Sequence, residues 1–108
     1  MFKSCTNFNQ TINFSSANVT SFRSMFEGCS SLNSSITFSD TSNVTRMDFM
    51  FSGNIVFNQP LTFNTSSTTI LNTMFLNCRA FNSAITFSDT SNVTTFSQMF
   101  SGCYLFNQ

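Results

Sequence analysis

The sequence predicts a repeat solenoid: a stack of 24–25-residue coils, each with one short parallel β-strand and about one helical turn. Three observations predict it. Met-Phe recurs at Met1, Met25, Met50, Met74 and Met99, and a fixed period in this range marks stacked units. A cysteine follows at Cys5, Cys29, Cys78 and Cys103, with Asn54 in the third copy, and an asparagine then stands at Asn9, Asn33, Asn58, Asn82 and Asn107. The decapeptide ITFSDTSNVT occurs twice, at 36–45 and 85–94.

This periodicity divides the chain into a single segment of four coils, 1–24, 25–49, 50–73 and 74–98, with a partial fifth at 99–108. A second period lies over the first. The residue after each asparagine alternates Gln10, Ser34, Gln59, Ser83, Gln108, and coil length alternates with it, which points to a 49-residue unit of two coils. Within a coil, Ser35-Ile36-Thr37-Phe38-Ser39 alternates polar and apolar, the pattern of a half-buried strand. Asp40 to Asn43 then turn the chain. Met47, Met50 and Phe51 follow at the i, i+3, i+4 spacing of a helical face, with Thr45 as N-cap and Asp48 completing a capping-box variant. Gly53, matched by Gly28, Gly102 and Asn77, stands where a left-handed residue ends the turn.

Composition narrows the function classes. Charged residues are 7% of the chain, lysine plus arginine balance aspartate plus glutamate at 4 each, and phenylalanine occurs 16 times. A chain with so many aromatics folds, because each buried phenylalanine contributes about 1.5–3 kcal/mol. Without a basic stripe nucleic acid is not expected as a partner. No apolar run reaches the ~20 residues of a membrane span, and MFKSCTNFNQ is too polar for a signal peptide. The chain has no histidine and no glycine-rich phosphate loop, and Asp40 and Asp89 are equivalent by repeat, so they read as turn residues rather than an acid–base pair. Neither catalysis nor a cofactor is expected.

Each column has a structural reading. The cysteines lack a CxxC pair, which argues against zinc. Stacking at about 4.8 Å places Cys5 beside Cys29 and Cys78 beside Cys103 within disulfide range, whereas a ladder of free thiols is the reading slightly favoured. Asn9, Asn33, Asn58, Asn82 and Asn107 read as a ladder satisfying backbone groups. Asn18, Asn43 and Asn92 each begin Asn-Val-Thr, a glycosylation acceptor in a eukaryotic secretory pathway, although a turn is the preferred reading. Outward strand positions form two rows, Asn13/Thr37/Thr62/Thr86 and Ser15/Ser39/Asn64/Ser88, the candidate partner face.

The stretches MFEGCSSLNSSITFSDTSNVT and MFSGNIVFNQPL resemble BspA-like repeats of bacterial surface proteins and mycoplasma surface lipoproteins, a relative of the leucine-rich repeat. The resemblance covers the whole chain. It departs where that pattern carries tryptophan before the aspartate: here Ser39 and Ser88 stand, with Phe38 and Phe87 one residue earlier. The resemblance implies a leucine-rich-repeat-like or β-solenoid fold and a surface array with no reaction.

The leading expectation is therefore a non-enzymatic structural or adhesive array at a cell or virion surface, a stalk or fibre. Its partners would be the rest of a longer array, itself by end-to-end stacking, or a host protein or glycan, since neither end of the segment carries the polar cap a solenoid needs. An intracellular protein-interaction scaffold using the strand face is the alternative. Ice binding by the threonine row is a third.

Overall fold

In the computed structural model, which describes residues 1–108, the chain is all-β: four three-residue strands and no helix. They are β1 (Ile12–Phe14), β2 (Ile36–Phe38), β3 (Leu61–Phe63) and β4 (Ile85–Phe87). In each strand the outer two residues face the core and the middle one faces solvent, as the alternation Ile-Thr-Phe requires. Parallel pairing joins β1 to β2 and β3 to β4, with Ile12 opposite Ile36 and Leu61 opposite Ile85.

Parallel strands stacked coil on coil were the expectation; the strands pair in parallel but form two two-stranded sheets. The break between β2 and β3 has a local cause. At the other two joints the N–H after the strand donates to the phenylalanine carbonyl of the preceding strand, Ser39 to Phe14 and Ser88 to Phe63. At this joint the Asn64 N–H donates instead to Thr41 Oγ1 at 2.7 Å, and the Thr41 hydroxyl donates to the Asn64 carbonyl at 2.9 Å. Thr41 lies three residues past its strand, while Ser16 and Thr65 lie two past theirs. The extra residue is Asp40, matched by Asp89. The longer repeats are therefore longer at this corner.

Regular bonding runs mostly outside the strands: 45 of 49 backbone hydrogen bonds lie in turns and loops. The helical turn expected over residues 45–51 is not formed. Thr45 does not cap a helix; its N–H and hydroxyl both reach the Thr20 carbonyl. Over the equivalent stretch of the preceding repeat, alternate N–H groups leave the local turn altogether. Phe22, Ser24, Phe26 and Gly28 donate to the carbonyls of Arg46, Asp48, Met50 and Ser52. Those between them close tight turns, Met25 to Phe22 and Cys29 to Phe26. An α-helix would need all of them for its own i→i−4 bonds.

The alternation depends on left-handed residues. Gly28, Gly53, Gly102 and Asn77 have positive φ, as their positions predict, and Ser4 is their equivalent in the first repeat. A second left-handed column, Ser24, Phe49, Thr73 and Gln98, has no signal in its residue types. Three isolated parallel bridges, Ser21–Arg46, Arg46–Ile70 and Ile70–Thr95, run unbroken across all the repeats and bypass the gap between the sheets.

Phenylalanine columns fill the interior. Phe2, Phe26, Phe51, Phe75 and Phe100 stack in series with centroids 5.3–5.5 Å apart. Phe57, Phe81 and Phe106 form a second column, each also lying against the first. A third, Phe14, Phe38, Phe63 and Phe87, crosses the break between the sheets, where Phe38 and Phe63 are 5.3 Å apart. The methionines of the Met-Phe pairs, Met25, Met50, Met74 and Met99, are buried beside them.

Small hydroxyls sit inside the corners. Ser16, Thr41 and Thr65 are buried, and each accepts a backbone N–H from the next repeat while donating to a carbonyl there. Thr65→Val keeps the shape but takes the partner from the Asp89 N–H and carbonyl. Asp89 is exposed, so water takes over both groups, and urea denaturation should show a loss of about 0.5–1.5 kcal/mol, the net worth of an intramolecular hydrogen bond.

Candidate contact face

The two outward rows differ in what their polar atoms do. In the Ser15/Ser39/Asn64/Ser88 row, the side chains are exposed but three of the four hold the corner together. Ser39 Oγ accepts the Ser16 N–H at 2.9 Å, Ser88 Oγ accepts the Thr65 N–H at 3.2 Å, and Asn64 Oδ1 accepts the Ser66 N–H at 3.1 Å. In the Asn13/Thr37/Thr62/Thr86 row, the side chains are exposed and make no intramolecular hydrogen bond. Pairing sets Asn13 beside Thr37 and Thr62 beside Thr86. This second set of hydroxyls and one amide is free to meet an external partner.

The sheet break adds a feature the sequence did not announce. Ile36, Thr37, Phe38, Pro60 and Thr62 line a cleft of about 300 Å³ between β2 and β3, under the middle of the free row. Thr37 and Thr62 share its lining with Ile36, Phe38 and Pro60. A partner with a polar outline and a small apolar group matches that chemistry. Pro60 was the available signal, since proline next to a strand marks interrupted pairing.

The asparagines of the ladder are exposed, and their side chains bond from repeat to repeat. Asn9 Oδ1 accepts the Asn33 N–H at 2.8 Å, and the same bond recurs from Asn58 to Asn33, Asn82 to Asn58 and Asn107 to Asn82. The alternating residue supports it in two ways. Ser34 and Ser83 hydroxyls donate to the Oδ1 atoms of Asn9 and Asn58, whereas the Gln59 and Gln108 amides reach those of Asn33 and Asn82. Of the glycosylation candidates, Asn43 and Asn92 use their amides to donate to the Ala17 and Ser66 carbonyls, and Asn18 lies exposed.

The four cysteines are unbridged. The thiols of Cys29, Cys78 and Cys103 donate to the carbonyls of Phe2, Phe51 and Phe75. Asn54 takes the same place in the third repeat, fully buried, and neither its Oδ1 nor its Nδ2 has a partner. No cluster of three histidine, cysteine or acidic side chains is arranged to hold a metal. No helix is long and apolar enough to cross a membrane.

Arg23, Arg46 and Asp48 form one charged cluster. Asp48, expected to complete a helix cap, is buried between two arginines: Arg46 grips both its oxygens at 3.0 and 2.8 Å, and Arg23 approaches at 3.2 Å. Asp40 and Asp89 are exposed and Glu27 is half-buried beside Lys3. The Ser42 N–H and hydroxyl hold the Asp40 carboxyl below its ordinary value, and Ser91 does the same for Asp89. A Ser24 hydrogen bond lowers Glu27. Depressed folded-state values stabilise the fold above the ordinary carboxylate range, and that contribution is lost as pH falls through the folded values. Urea midpoints should therefore hold level down to about pH 5 and fall below about pH 4. Asp40→Asn with Asp89→Asn should flatten that fall.

A family model described as Mycoplasma protein of unknown function, DUF285, matches residues 1–108. No curated protein and no solved structure matches the chain.

Proposed function

We propose the following for this chain, which belongs to the family described as Mycoplasma protein of unknown function, DUF285: it is a non-enzymatic structural and adhesive array of a cell or virion surface. In this reading the repeats form a solenoid of the BspA-like kind, and Asn13, Thr37, Thr62 and Thr86 are the row that meets a host protein or glycan. The observation that carries it is the contrast between the two outward rows. One is spent on the fold, while the other presents repeated, unbonded polar groups, two of which, Thr37 and Thr62, line a small cleft of mixed polar and apolar character. A scaffold with so few charges binds through shape and hydrogen bonding rather than long-range attraction.

The test has two arms. Antibody raised against the chain should label intact cells or virions that carry it. Beads coated with the chain should be retained on arrays of extracellular-matrix proteins or glycans, and Thr37→Lys with Thr62→Lys should abolish retention while leaving the urea midpoint unchanged. Label confined to permeabilised cells would favour an intracellular scaffold using the same face. Retention unaffected by the two lysines would remove the row from the site. A thermal-hysteresis measurement separates the ice-binding reading, which the unbonded threonines also suit.

A further inference from the structure

We propose that the cysteine column is a site of paired oxidation, in which Cys5 joins Cys29 and Cys78 joins Cys103 as inter-repeat disulfides, with buried Asn54 dividing the column into two closed pairs. The inference is independent of the contact face.

Geometry brings each pair together. The residue before each cysteine stacks on its counterpart in the next repeat. A Cβ placed on Gly102 would lie 3.2 Å from Asn77 Cα, and one on Gly28 would lie 3.6 Å from Ser4 Cα. Backbone bonds fix the alignment at both places, Asn77 N–H to Ser101 carbonyl and Ser4 N–H to Glu27 carbonyl. In the second pair, the Cys78 N–H and the Cys103 thiol share one acceptor, the Phe75 carbonyl, at 3.0 and 2.9 Å. Stacked neighbours about 4.8 Å apart fall within the Cα range a disulfide spans.

The two members of each pair differ in access. Cys5 is exposed and Cys103 half-buried, while Cys29 and Cys78 are buried. The neighbouring Cys78 thiol lowers that of Cys103, Cys103 and burial raise Cys78, and burial pushes Cys29 up. The accessible cysteine is thus the one placed to react first and the buried one to resolve. With a low-molecular-weight disulfide as oxidant, the Cys103 thiolate attacks one sulfur of oxidised glutathione and expels a glutathione thiolate, leaving a mixed disulfide. Cys78 then gives up its proton and attacks the Cys103 sulfur, expelling the second glutathione thiolate. Two protein thiols are oxidised, one disulfide oxidant is reduced, and the two protons end on glutathione. Cys5 and Cys29 follow the same sequence.

Asn54 gives the column its meaning. An amide with both polar atoms buried and unpaired is costly, and such a group calls for a reason. With cysteine there, five stacked thiols would pair in more than one register. Asn54 leaves only two neighbouring pairs.

Trypsin cuts after Lys3, Arg23, Arg46 and Arg79, the three arginines lying between successive cysteines, so bridges can be read from linked peptides. The folded chain, incubated with oxidised glutathione, should lose all four thiols in a dithiobisnitrobenzoate assay. Its non-reduced digest should show 4–23 linked to 24–46 and 47–79 linked to 80–108. Asn54→Cys, oxidised in the same way, should add a link between 24–46 and 47–79. Four thiols surviving in the folded protein, or a Cys29–Cys78 link in the wild type, would overturn the pairing. An Asn54→Cys digest with only the two original links would overturn the role of Asn54.

Discussion

Phe51→Ala is expected to destabilise the protein by about 3–5 kcal/mol, the range for emptying a buried aromatic site. Phe51 is fully buried at the middle of the longest ring stack, 5.5 Å from both Phe26 and Phe75 and 4.7 Å from Phe57. Its loss opens a cavity where two columns meet. Bonds between repeats also lock the backbone on either side: the Phe51 N–H donates to Met74 and its carbonyl accepts the Cys78 thiol. The surrounding chain therefore has little freedom to collapse into the space. Equilibrium urea unfolding should show the loss as a lower midpoint with an unchanged slope. Phe100→Ala, at the half-buried end of the same stack, should cost less. Equal losses at the two positions would mean that stacking continuity, and not burial, sets the energy.

Asn54→Cys, measured under reducing conditions, is expected to raise stability by about 1–3 kcal/mol. The change removes a buried amide that has no hydrogen bond and restores the residue found at this place in the other repeats. It also supplies a missing donor. The carbonyls of Phe2, Phe51 and Phe75 each accept a cysteine thiol from the next repeat, and Phe26 is the one in that series without it. A thiol at position 54 would meet the Phe26 carbonyl. A thermal midpoint several degrees higher is the expected reading. An unchanged or lower midpoint would show that the amide of Asn54 is satisfied in solution.

The strands were legible because their signals are local and chemical. Ile36-Thr37-Phe38 can bury both ends and expose its middle only as a strand, and every repeat carries that alternation. The left-handed glycines were legible for the same reason. The helical turn was misread. Met47, Met50 and Phe51 have a helical spacing, but a tight turn whose alternate N–H groups bond the next repeat places the same three side chains inside. Phe49 and Thr73 adopt positive φ because the neighbouring repeats hold them there, against the preference of their side chains.

By itself the sequence determined the period, the phase of every column and the division of each strand into an inner and an outer face. These follow from residue size and polarity repeated at fixed spacing. The tertiary structure decided what no single repeat contains. It set which outward row is free, because Ser39 and Ser88 are consumed only once a neighbouring corner is beside them. It placed the sheet break at Thr41, because one hydroxyl three residues past β2 reaches the Asn64 N–H before the Phe38 carbonyl can. It also explains the duplicated ITFSDTSNVT: its aspartate, Asp40 or Asp89, is the added residue that widens alternate corners. Bonds between repeats choose among the conformations that each repeat alone would permit.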